Sequence, residues 1–184
     1  MRAFIAFEVP MDIKEYLMAL SGQMAARVPG VKWVRKEGIH ITMKFFGEID
    51  KKEVPAMYEA LSCIAGKYPA FEADIVAIDA FPDKLRARVI IVRLEKGIDN
   101  LKSIFNDIES TLHGLGIEKE SRPFTPHLTL GRRKTPGPLL ERETPLLETR
   151  RFALSTLTFF ESTLMREGPV YTPLWQIKLG GTHD

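Results

Sequence analysis

Cysteine occurs once in the 184 residues, at Cys63. That excludes a disulfide framework within the chain and a thiolate metal cage, and makes a reducing, cytoplasmic setting the expectation. Long apolar runs are missing too: no stretch reaches the roughly 20 residues that a membrane-spanning helix requires. The apolar N-terminus is broken by Glu8 and Pro10 before a signal core can form, so it reads as a first strand. Neither sign of charge prevails, with 26 Lys and Arg against 24 Asp and Glu and a formal net charge of +2. Such a balance permits a nucleic-acid partner only where basic residues gather on one face. There is no Gly-x-x-x-x-Gly-Lys phosphate loop and no His-Glu-x-x-His pair, which removes two common patterns of ATP-driven and zinc-dependent chemistry. Histidine is scarce, four in all, and two of the four carry the most informative pattern in the chain.

Hydrophobic residues make up 45% of the chain, enough to bury a core, and the length suits a single domain over 1–184. Ile13, Tyr16, Leu17, Leu20 and Met24 recur at three- and four-residue spacing and predict a helix that Pro29-Gly30 ends. Strands are predicted over 31–34 and 39–46 around a turn at Lys36-Glu37-Gly38, with Gly47 closing the second. Asp50 and Glu53 mark a helix start ahead of Val54, Met57, Leu61 and Ile64, with Pro55 in the first turn. Segments 71–81 and 85–94 read as a hairpin about Pro82-Asp83-Lys84. Ile98, Leu101, Ile104, Ile108 and Leu112 predict a third helix. Pro123 and Pro126 then hold the chain extended before a strand at His127, after which 132–150 lacks periodicity and reads as a long loop. Strands over 152–162 and 170–179 and a frayed tail finish the chain. Two sets of strands with helices between them place it in the α+β class.

Each set of strands contains one copy of a short pattern, His40-Ile41-Thr42-Met43 and His127-Leu128-Thr129-Leu130. Residues two apart on a strand share a face and sit roughly 7 Å apart, so each copy aims an imidazole and a hydroxyl the same way. A lone histidine on an apolar strand is commonly structural, and threonine is favoured in strands without further reason. Repetition of the pair is what points to chemistry. Histidine alone has an unperturbed pKa, about 6.5, that supplies both acid and base near neutrality. If the two strands lie side by side, they offer a general acid, a general base and two hydroxyl donors, a set suited to opening a phosphodiester. A metal site is the competing reading. Neither histidine has an acidic residue at the adjacent same-face position, so no metal and no cofactor is the expectation.

These stretches, with Arg2-Ala3-Phe4-Ile5-Ala6, Trp33-Val34, Lys44-Phe45-Phe46-Gly47, Pro126, Gly131-Arg132 and Gly168-Pro169-Val170-Tyr171, resemble the 2H phosphoesterases. Within that superfamily the chain is most similar to the RNA 2′,3′-cyclic phosphodiesterases historically called 2′-5′ RNA ligases. The resemblance implies two pseudosymmetric lobes of antiparallel sheet, helices packed on the outside, and a central cleft with one motif from each lobe. It implies hydrolysis of a terminal 2′,3′-cyclic phosphate to a 2′-phosphate. His127 would be the proton acceptor, His40 the proton donor, Thr42 and Thr129 the phosphate holders and Arg132 an RNA contact. On the residues alone either histidine can play either part. Attack by a 5′-hydroxyl in place of water would give ATP-independent 2′-5′ ligation, for instance of tRNA halves. The implied partner is an RNA end, met by a monomer with no membrane. Other readings of the same cleft are a phosphodiesterase for a small cyclic nucleotide or a 2′-5′ oligonucleotide, and a non-catalytic module that binds RNA ends.

Further residues invite weaker readings. Lys84, Arg86, Arg88 and Arg93 alternate along the predicted hairpin and could line one basic face, or merely protect an exposed strand. Trp33, Phe46, Tyr171 and Trp175 are candidates for stacking on a base, with core packing as the plainer explanation. His113 and His183 are given no catalytic role.

Overall fold

The structure, a computed structural model, describes residues 1–180; the tail that holds His183 lies outside the described residues. The elements run β1 (Arg2–Glu8), α1 (Met11–Ala25), β2 (Val31–Trp33), β3 (His40–Glu48), α2 (Val54–Lys67), β4 (Phe71–Phe81), β5 (Ala87–Leu94), α3 (Ile98–Gly114), β6 (His127–Gly137), β7 (Arg150–Leu154), β8 (Thr156–Met165) and β9 (Gly168–Lys178). The strands form two antiparallel sheets, ordered β3-β1-β8-β9 and β2-β6-β5-β4-β7. This is the expected α+β, two-lobed architecture. Setting β2 aside, the sheets correspond strand for strand, motif strand β3 to β6, its neighbour β1 to β5, then β8 to β4 and β9 to β7.

Period-two alternation decides which face of each sheet meets the helices. On β1, Ala3, Ile5 and Phe7 join the main core with Ile13, Leu17, Leu20 and Met24 of α1. Phe4 and Ala6 point the other way and form a small separate cluster with Phe160 and Tyr171. Leu128 and Leu130 of β6 likewise face the main core, where β6 meets α1 and β3 meets α3. The helices therefore cover the faces turned away from the motif histidines. The entry to α2 follows its sequence signal: Lys52 N–H donates to the Asp50 carboxylate and Asp50 N–H to that of Glu53, with Pro55 in the first turn.

Four expectations are corrected. Segment 152–162 is not one strand. It breaks at Ser155 and passes from one sheet to the other, β7 pairing with β4 and β8 with β1. The predicted loop from Arg132 begins instead as strand, because β6 continues to Gly137 between β2 and β5. Periodicity is blurred there because Arg133 is buried, its guanidinium donating to the carbonyls of Gly137 and Pro138 at 2.7 and 2.8 Å. Gly47 does not close β3: at φ +69 it sits in a bulge opposite Ala3, and the strand runs on to Glu48. Finally, Lys84 and Arg86 lie in a helical turn capped by Asp83. Arg88 and Arg93 remain on β5 but five residues apart, on opposite faces, so no shared basic face forms.

Candidate active site

Both motif strands carry the same irregularity at the same place. On β3, Thr42 pairs with Ala6 and Lys44 with Ile5, leaving Met43 as an extra residue; on β6, Thr129 pairs with Ile91 and Gly131 with Ile90, leaving Leu130 extra. A bulge shifts the alternation by one. The residue that joins histidine and threonine on the cleft face is therefore Phe45, opposite Phe4, in one strand and Arg132, opposite Val89, in the other. A regular strand would have turned Arg132 to the core. Gly131 serves the second bulge, since a Cβ there would stand 2.5 Å from Val31 and 3.1 Å from the Trp33 ring of β2.

His40, Thr42, His127 and Thr129 are all partly buried, and β3 and β6 lie in contact. Each imidazole is held by its Nδ1, which donates to a backbone carbonyl two or three residues earlier: Thr125 at 2.7 Å for His127, Glu37 at 3.3 Å for His40. A carbonyl can only accept, so the proton of the neutral ring sits on Nδ1 and Nε2 is left with its lone pair. Burial pushes the His40 pKa down from 6.5 to about 4, opposed by the Glu37 bond and aided by the charges of Lys14, His127 and Arg132. Burial also lowers His127, the Thr125 bond opposing it and Arg132 adding to it. Both rings are therefore neutral at pH 7 before an anion enters. Arg132, on the second motif strand, depresses both His40 and His127.

An aromatic wall stands behind His40. Its ring stacks on Phe4 at 4.9 Å and meets Tyr171 edge-on at 5.5 Å, while Phe45, 53% exposed, lies parallel to Phe4 at 5.5 Å. Behind His127 there is one ring, Phe81, edge-on at 4.9 Å.

The match to known proteins follows the same division. A family profile described as LigT like Phosphoesterase fits residues 7–91 and fits again over 92–171, with one motif histidine in each half. The chain belongs to the LigT-like phosphoesterases. It is 32% identical over 180 residues to an RNA 2′,3′-cyclic phosphodiesterase of Methanocaldococcus jannaschii, covering 93% of this chain and 96% of that protein. To the protein of the same name from Thermotoga maritima it is 28% identical, covering 98% and 97%. A crystal structure from Thermus thermophilus superposes with a TM-score of 0.85 at 28% identity, over the full length of both chains. E. coli LigT complexed with 3′-AMP superposes with a TM-score of 0.79 at 25% identity, over 97% of each chain.

In this LigT-like phosphoesterase a buried ion pair secures the site from behind. Lys44, on the core side of β3, donates to Glu109 of α3 at 2.7 Å and to the carbonyl of Glu118 at 2.9 Å. The second Glu109 oxygen accepts Glu120 N–H at 2.8 Å. With side chains only 4% and 7% exposed, the charges are held by each other and by these extra bonds. The pair ties the first motif strand to the segment that leads into the second, the segment whose Thr125 carbonyl orients His127. Lys44 enters the sequence reading only within the family-like stretch and without a role, Glu109 does not enter it, and nothing in their types or spacing marks them as partners.

Of the aromatic candidates only Tyr171 reaches the cleft. Trp33, Phe46 and Trp175 pack against the main core, Phe46 and Trp175 both on Phe159. The cleft residues Phe4 and Phe45 were missed. Strand periodicity puts Arg2, Phe4, Ala6 and Glu8 on one face of β1, but only the pairing of Glu8 with His40 brings that face beside the motif. Phe45 was not legible, because only the bulge turns it outward. Among the described residues no group of three or more His, Cys, Asp or Glu side chains is placed to hold a metal ion, and no helix is long and apolar enough to cross a membrane.

Proposed function

We propose that this chain hydrolyses the 2′,3′-cyclic phosphate at an RNA end to a 2′-phosphate, using His40 and His127 as general acid and base. The observation that carries the reading is the pair of His-x-Thr strands, each with its imidazole fixed through Nδ1 and its Nε2 left free. The names of the relatives support the substrate class. Water bound near His127 gives a proton to Nε2 as its oxygen bonds to phosphorus. The bond from phosphorus to the 3′ oxygen breaks, and that oxygen takes the proton of His40 Nε2. The negative charge of the substrate phosphodiester raises the pKa of the nearby rings, so His40 acquires its proton with the substrate rather than before it. Thr42 and Thr129 donate to the non-bridging oxygens as charge grows on them, and Arg132, carried outward by its bulge, grips the phosphate or its neighbour. Afterwards His127 is charged and His40 neutral, and exchange with solvent restores the pair.

The whole chain works in this reading as one two-lobed unit, a cytoplasmic monomer that needs no cofactor. A 5′-hydroxyl seated in place of the water would make a 2′-5′ linkage at the same site, with tRNA halves as the natural pair of ends. The test is a short RNA ending in 2′,3′-cyclic phosphate, incubated with the protein and excess chelator. A 2′-phosphate product is expected. A 3′-phosphate product, or tight binding with no turnover, contradicts the reading, the latter favouring a module that only binds RNA ends. Adding an RNA with a 5′-hydroxyl end then separates ligation from hydrolysis.

A further inference from the structure

Beside His127 the protein has space that the chemistry does not use. Where β5 ends and α3 begins, a cavity of about 310 Å³ is bounded by Arg93, Ile98, Lys102, Phe124 and Thr125. A second, of about 460 Å³, shares Lys102 and Phe124 with the first and extends along α3 past Phe105, Asn106 and Arg122. The two adjoin at Lys102 and Phe124 and line one stretch of surface beside α3. Its inner end adjoins the second motif, because Arg93 is the cross-strand partner of His127 and the Thr125 carbonyl is the one that holds the His127 ring.

The groove has two chemical features. Arg93, Lys102 and Arg122 are spaced along it, with Glu95 as the acidic member of the lining. Arg122 is already bonded to Glu120 and Arg93 lies 3.9 Å from Asp79, whereas Lys102 is exposed and has no ion pair among the described residues. The second feature is a part-exposed aromatic pair. Phe105 and Phe124 stack at 4.2 Å with their planes 4° apart, and each remains half-buried rather than enclosed. The segment that leads to Phe124 is anchored to Lys44 and Glu109 from the core side. Cations spaced beside a part-exposed aromatic pair, next to the segment that holds His127, match single-stranded nucleic acid: phosphates meet the cations and a base can lie against an exposed ring.

We infer that this groove binds the single-stranded RNA upstream of the reacting cyclic phosphate. The inference rests on the RNA-end reading above and extends it: the enzyme distinguishes an RNA chain from a cyclic mononucleotide by contacts outside the catalytic cleft. The backbone leaves the site past Arg93 and follows α3 outward, with Lys102 and Arg122 at successive phosphates.

The experiment compares uridine 2′,3′-cyclic monophosphate with an eight-nucleotide unstructured RNA ending in 2′,3′-cyclic phosphate, for the wild type, Lys102→Glu and Arg122→Glu. The wild type is expected to show the lower KM for the octamer, and a steeper loss of octamer kcat/KM with added salt. Each variant is expected to raise the octamer KM roughly tenfold, flatten its salt dependence, and leave the mononucleotide constants unchanged. Equal effects on both substrates, including no effect on either, overturn the groove while the RNA-end reading stands. A wild type that turns over neither substrate overturns both.

Discussion

The two motif strands are alike in pattern and unlike in surroundings. Both carry histidine, threonine and a bulge, but the third cleft residue is Phe45 on β3 and Arg132 on β6, and the partner opposite each histidine is Glu8 in one case and Arg93 in the other. The core-side position after each bulge is Lys44, buried against Glu109, or Gly131, which makes room for β2. His127 is held by the shorter Nδ1 bond, and His40 is pushed to about 4 by burial among aromatic rings. The difference teaches that symmetry in the motifs does not make the two sides of the cleft equivalent. Aromatic rings, Phe4, Phe45 and Tyr171, gather beside His40, whereas arginines, Arg93 and Arg132, accompany His127.

The largest effect expected is from removing either ring. His40→Ala and His127→Ala should each lower kcat by about 10²- to 10⁴-fold, and the double variant should lose little more, because acid and base act in one step. Losses that multiply in the double variant would separate the two sides into independent sites. Next is the buried pair. Lys44→Met leaves Glu109 charged in the core without its ion-pair partner, and should cost about 3–5 kcal/mol in urea unfolding. Adding Glu109→Leu should restore much of that, unless the bonds to Glu118 and Glu120 carry the anchor. Smaller still is the effect of Arg132. Activity needs one ring protonated and one neutral, and both free-enzyme pKa values lie below 6.5. The kcat/KM profile should therefore peak on the acid side of pH 6.5. Arg132 lowers both histidines, so Arg132→Gln should move that peak upward as KM rises about tenfold. An unmoved peak would mean that Arg132 stands outside the site.

How far the sequence revealed this is uneven, for physical reasons. The helices and most strands were legible because their apolar spacing is regular. The passage at Ser155 was not, since strand-forming residues continue through it and one long strand fits them equally well. Both bulges were hidden for a related reason: Met43 and Leu130 are apolar and fit an unbroken alternation. Strict alternation would have sent Arg132 to the core, so that residue was reached through family resemblance and not through spacing. Lys44 and Glu109 meet only in three dimensions. The histidines and threonines needed no such help, because their spacing matches the period of the strand.

The most direct test of the two-histidine site is ¹⁵N NMR of the imidazole nitrogens, titrated with pH in the free protein and with inorganic phosphate bound. Both rings should be neutral at pH 7 with the proton on Nδ1, and phosphate should shift the Nε2 signals of His40 and His127 together and raise both pKa values. A response confined to one ring, or a resting proton on Nε2 of either, would contradict a pair that works on a single phosphate.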